Sequence, residues 1–106
     1  MVKTIQEMKT TGTPQMTILR SGKSFKVLQV TGSERMSMPD HFSTKEAVLM
    51  IQIGSATLKI KGEEHLLTKH QSFIIPAAEH HTLILNEKFQ AIVVMESDSE
   101  IKFVNS

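Results

Sequence analysis

Residues 46–85, EAVLMIQIGSATLKIKGEEHLLTKHQSFIIPAAEHHTLIL, form a succession of short apolar runs separated only by turns and polar tips. Ala47 to Ile53, Ala56 to Lys61, His65 to Leu67, Ser72 to Ile75 and His80 to Leu85 each have the length of a strand rather than a helix. Hairpin after hairpin in one flat sheet would leave long edges open to other chains. The chain must therefore curl its sheet back on itself.

The rest of the sequence follows the same pattern. Met16 to Arg20 reads as a first strand ended by Ser21-Gly22, and Ser24 to Thr31 as a second, closed by Gly32. Met36 and Met38 share a face at period two, and Pro39, having no N–H to give, is expected to end that ladder. Asp40 to Lys45 then reads as a polar loop carrying His41. Asn86-Glu87-Lys88 is a turn, Phe89 to Met95 a strand, and Ile101, Phe103 and Val104 mark a last short one. Eight to ten strands and no convincing helix place the chain in the all-β class, as a sandwich or barrel. Residues 1–16 read as an arm laid over the barrel or over a neighbour, and 17–106 as a single barrel domain.

Parity sets the expected core. With Ala47 inward, Leu49, Ile51 and Ile53 also point in. The expected core is Val27, Leu49, Ile51, Leu58, Ile60, Phe73, Ile75, Leu83, Leu85, Ile92 and Val94. Val48, Met50, Ile74 and Ile84 then form an apolar outer face, which a two-fold homodimer is expected to cover.

Composition excludes several functions. There is no Cys, so neither a disulfide framework, a thiolate metal site nor a cysteine nucleophile is possible; this suits a reducing cytoplasm. Twelve basic side chains stand against eleven acidic ones, interspersed, and the aromatics are five Phe with no Trp or Tyr. A nucleic-acid binder would need a basic stripe or stacking platforms. No run reaches the ~18 apolar residues of a membrane-spanning helix, and the first residues have no apolar stretch of a signal peptide. No Gly-rich phosphate loop and no G-x-S-x-G occurs.

Residues 32–95 resemble the small single-domain cupins, the RmlC-like jelly-roll family. Gly32, His41 and Gly54 stand at about the places of the first cupin motif. Pro76, Ala78 and His81 keep the spacing of the second, with His70 where its first glycine would be. The resemblance implies a cupin-type double-stranded β-helix, a jelly-roll barrel. It also implies a metal held by two histidines of the first motif, its glutamate, and the histidine of the second. Here only one histidine of the pair is present: Pro39 or Ser43 replaces the other. With six residues between it and Gly54, the glutamate position falls on Ala47, and Glu46 faces inward only if a bulge shifts the register.

His41 and His81, with Glu46, are thus the candidate ligands for a divalent first-row metal (Zn, Ni, Mn or Fe). Without a metal they read as pocket histidines hydrogen-bonded to backbone or to an organic ligand. Met36, Met38, Leu49, Ile51 and Leu83 are the expected pocket wall. Met36 and Met38 near His41 could suggest copper(I), but as flexible apolar filler they need no ion. His80 should face away from the pocket, and His65 and His70 should be solvated at hairpin ends. The leading expectation is a small-molecule-binding or sensing module with a degenerate metal site. The alternative is a metal-dependent cupin enzyme of the isomerase or dioxygenase type.

Overall fold

The computed structural model describes residues 12–104, and every regular element among them is a strand. In chain order these are β1 (Gln15–Ser21), β2 (Phe25–Gly32), β3 (Ser37–Ser43), β4 (Ala47–Ile53), β5 (Ser55–Ile60), β6 (Glu63–Thr68), β7 (Ser72–Ile75), β8 (His81–Leu85), β9 (Phe89–Glu96) and β10 (Ile101–Phe103). They build two five-stranded antiparallel sheets, ordered β1-β2-β9-β4-β7 and β10-β3-β8-β5-β6. The two sheets face one another as a jelly roll, the double-stranded β-helix, and among the described residues no ladder joins their edges into a closed barrel. Among the described residues no helix is long and apolar enough to cross a membrane.

Local sequence explains the pairing. In β5 the alternation is complete: Ala56, Leu58 and Ile60 are buried while Lys59 is exposed. Lys61 and Gly62 then take positive φ (54° and 75°), as the two-residue turn that suits the twist of a hairpin requires, and Ile60 pairs with Glu63. Gly54 also has positive φ, and a Cβ there would collide with the carbonyl oxygen of Lys88, so the β4–β5 corner needs glycine. The core runs between the sheets through Leu28, Val30, Leu49, Leu58, Leu85 and Phe89, with Ala47, Ile51, Ile60, Ile75 and Leu83 also buried.

Several sequence expectations need correction. Val27, Ile92 and Val94 are not core residues: Val27 pairs with Val94 and Gln29 with Ile92 on the outer face, while Leu28, Val30, Ala91, Val93 and Met95 point in. Val27, Ile92 and Val94 make the outer faces of β2 and β9 apolar at their centres, beside Gln29, Gln90 and Glu96, which blurs the alternation that tells inside from outside. Ile53 is 43% exposed, because the β4–β9 register shifts between Ile51 and Ile53. Ile84 does not share a face with Val48, Met50 and Ile74, since it lies on the other sheet, opposite Ser37 and Thr57. Pro39 does not end a ladder, and of the expected loop, Asp40 to Ser43 are strand while 44–45 remain outside it. β3 continues through Pro39 to Ser43, the proline sitting where the β3–β8 register is irregular between Met38 and His41. A proline at such a bulge removes no ladder hydrogen bond.

The expected arm lies outside the described residues over 1–11, whereas Gln15 and Met16 already belong to β1. Just before that strand, the Gly12 carbonyl accepts a hydrogen bond from the Ser37 amide at 3.0 Å, tying the start of one sheet to the other.

Candidate functional site

The irregularity at Pro39-Asp40 places His41 on a strand with its ring inward, directly opposite His81 on β8. Both are buried, at 5% and 6% exposure, and their ring centroids lie 4.1 Å apart at 59°. Each ring is held the same way. His41 Nδ1 lies 2.6 Å from the carbonyl oxygen of Pro39, and His81 Nδ1 2.9 Å from that of Glu79. A carbonyl can only accept, so each Nδ1 carries the hydrogen. In the neutral ring Nε2 is then left as a lone-pair acceptor.

The rings are neutral at ordinary pH. Burial pushes the His41 pKa down, the carbonyl bond to Pro39 opposes this, and the neighbouring His81 lowers it further. Burial likewise lowers the His81 pKa, against its bond to Glu79. The pair therefore offers two acceptors and no charge.

Both histidines line a cavity between the sheets, walled by Met38, Ala47, Leu49, Leu58, Ile75 and Leu83 among others. The cavity volume is about 50 Å³. It is a narrow slot. Among the described residues that line it there is no Lys, Arg, Asp or Glu. Ser43 is the remaining polar side chain, and its hydroxyl donates to the Lys45 carbonyl at 2.9 Å.

The structure brings together His41, His81, Met38, Leu49 and Leu83 from the expected site. It does not bring in Glu46, which is exposed while Ala47 lines the cavity. No bulge precedes Ala47, and its register with Met95 and Ile75 keeps the preceding side chain outward. Met36 and Ile51 are also outside the wall. Met36 packs at the far end, its sulfur 3.4 Å from the Ser33 amide, and Ile51 is buried deeper in the core. Met36 and Met38 thus do not converge with His41 on one point.

His80 faces out, its side chain 3.5 Å from Asp40 and its ring stacked on Phe42 at 4.9 Å. His70 is exposed, whereas His65 is partly covered and packs on Phe73. Sequence reasoning missed Met16, Val30, Val93, Met95 and Ile101 as wall residues. Inward parity on β1, β2, β9 and β10 would have found them, had the apolar second face of β2 and β9 not hidden it.

Among the described residues the site offers two imidazoles toward a divalent first-row ion. Two imidazoles with Nδ1 bound to carbonyls are oriented as metal-bound histidines are, but a catalytic zinc ordinarily has three protein ligands. Among the described residues no group of three His, Cys, Asp or Glu converges.

Comparison with known proteins places the architecture. A family model described as mannose-6-phosphate isomerase C-terminal matches residues 8–100. No curated protein matches the chain. Among solved structures, a cupin-like protein from Thermotoga maritima superposes with a TM-score of 0.80 at 16% identity, over 91% of this chain and 79% of that one. The polyketide cyclase RemF from Streptomyces resistomycificus gives 0.78 at 19%, over 88% and 72%. The DMSP lyase DddQ from Ruegeria pomeroyi gives 0.78 at 17%, over 87% of this chain and 52% of the lyase. At these identities the likeness is one of fold.

Proposed function

Since this chain belongs to the mannose-6-phosphate isomerase C-terminal family and has the cupin fold, we propose that it is a small-molecule-binding cupin. Its ligand is compact, apolar and neutral, and donates one O–H or N–H to the imidazole pair. The observation that carries this reading is the shared tautomer of His41 and His81: two buried acceptors face a slot whose wall is otherwise apolar.

The chemistry of the wall selects against other ligands. A phosphate or carboxylate would enter without a basic partner, and burying an unpaired charge is costly. A phenol or small alcohol loses little, because its single donor meets an imidazole acceptor and its body meets Leu49, Leu58 and Leu83. Whether the module senses such a molecule or transforms it, recognition begins with this match.

The carbonyl-held Nδ1 atoms also favour a second reading, a metal-dependent cupin enzyme of the isomerase or dioxygenase type. It requires a third donor from outside the slot.

Calorimetric titration with 4-methylphenol, benzoate, zinc and nickel at about pH 7.5, above the imidazole range, decides between them. Under our reading 4-methylphenol binds, benzoate of similar size does not, and His81→Leu removes phenol binding. Tighter binding of benzoate than of the phenol, or zinc or nickel binding below about 100 µM that His81→Leu abolishes, would sink it.

A further inference from the structure

A buried slot needs a way in, and the exposure of its wall shows where. The lining residues are buried apart from Met16 on β1, Val93 on β9 and Ile101 on β10. β1 and β10 are the edge strands of the two sheets on the same side of the sandwich, and among the described residues no ladder joins them. On the opposite side the Ile51 amide donates to the Gln71 carbonyl, the His70 amide to the Ile51 carbonyl, and His65 packs on Phe73 at a surface cleft that does not include the histidine pair. The end near Gly32 is shut by Met36, Leu85 and Pro14, with Gly12 bonded to Ser37.

At the His81 end an open cleft runs past Asp40, Ile60 and His80, polar where the slot is apolar, and two apolar side chains mark the seam between β1 and β10. Ile18 pairs with buried Leu28, and Phe103 with buried His41, so both have inward register. Yet Ile18 is 59% exposed and Phe103 50% exposed. Large apolar side chains that point inward and stay wet are what an unclosed edge produces. The Phe103 ring lies 5.2 Å from that of His41, on a strand of three residues that among the described residues is bonded to β3 alone. Such a strand sits at the low-stability end of a fold.

We infer that the seam between β1 and β10 is the entrance to the slot, and that Phe103 sets the size of ligand admitted to the histidine pair. The choice of ligand rests on the proposed function above; the route does not. Phe103 stands between solvent and the His41 ring, with Ile18 as the opposite lip. An apolar rim suits a neutral ligand, which sheds its water there before meeting the imidazoles.

Diethyl pyrocarbonate, which acylates neutral imidazole nitrogen, reads the route without any natural ligand. Its rate at each histidine is followed by peptide mass spectrometry at about pH 7.5, with exposed His70 as internal reference. Phe103→Ala and Ile18→Ala should each raise the His41 and His81 rates by about fivefold or more relative to His70, with Phe103→Leu intermediate. Leu66→Ala, at an exposed site on the outer face of the second sheet, should leave them unchanged. Unchanged rates in both seam variants, or an equal rise in Leu66→Ala, overturn the inference.

Phe103→Trp gives a chain that otherwise has no Trp or Tyr a single indole at the rim. Its emission should shift with 4-methylphenol. Raised acylation without any phenol binding keeps the seam and discards the ligand class. Phenol binding with unchanged acylation does the reverse.

Discussion

His41 and His81 face each other across adjacent strands with their rings 4.1 Å apart, and each is tied by Nδ1 to the carbonyl two residues before it. Two such rings cannot both be protonated cheaply, because they are buried and would repel. The pair is stable as two neutral acceptors, which ties the chemistry of the slot to the stability of the fold.

Acid should therefore weaken the protein. Both pKa values are lowered from 6.5, chiefly by burial. Above that value the rings are neutral folded or unfolded, and this contribution to stability is complete. As pH falls from 6.5 toward the lower folded values, the unfolded chain binds more protons and stability is lost. Thermal melts should show the midpoint falling through this window. His41→Leu with His81→Leu should flatten that part of the profile, and an equally steep fall in the double variant would refute the assignment.

Ile51 is 2% exposed in the core, and Ile53, two residues on, is 43% exposed past the register shift. Ile51→Ala should cost about 2–5 kcal/mol by lost burial and a cavity. Ile53→Ala should fall within about 0.5 kcal/mol of wild type. Denaturant unfolding measures both, and a loss below about 1 kcal/mol at Ile51 would contradict its placement.

Ala78 stands where the second cupin motif has glycine, and its φ is +62°. Its amide donates to the Ser43 carbonyl at 2.7 Å, so the turn holds this conformation. A left-handed alanine costs about 1–2 kcal/mol, partly offset by the freedom glycine restores to the unfolded chain. Ala78→Gly is expected to stabilise by up to about 1 kcal/mol. Gly54→Ala should do the opposite and by more, because its Cβ meets the Lys88 carbonyl.

The outer face of the first sheet carries the expected assembly. Val27, Val94, Val48 and Ile74 form one cross-strand row, with Ile92 and Met50 in the next. Arg20 at the β1 end is the charged residue of those rows. A partner for this face must be equally uncharged and flat, and a second copy related by a two-fold axis offers that surface. We expect light scattering at about 50 µM to give the mass of two chains, and Val48→Lys to give one. A wild-type monomer at that concentration would rule the dimer out.

How much of this was legible in the sequence depended on how sharply each strand contrasts its two faces. β5 sets Lys59 against Leu58 and Ile60, and β4 is pinned by Ala47 and Gly54, so their parity could be read directly. β2 and β9 carry apolar residues on both faces at their centres, where the register of their pairing tells Leu28 from Val27 and Val93 from Val94. His41 and His81 were found as chemistry, but not as a strand-borne pair, because the bulge that admits Pro39 into β3 leaves no mark in hydropathy. The glycine-like turns at His70 and Ala78 do carry the cupin spacing: both residues have positive φ, 75° and 62°.

The central position of β9 has a consequence for how the molecule is made. It lies between β2 and β4 in the first sheet, so neither of those strands has its shared neighbour until synthesis has passed Glu96. Until then β2, paired with β1, and β4, paired with β7, each wait with one edge open, the condition in which nascent chains aggregate. Closing the sheet brings together residues some seventy positions apart, as in the bond from Lys26 Nζ to the Ser99 carbonyl at 2.7 Å. Folding of such a topology is slow, and the chain should depend on chaperones late in translation rather than early.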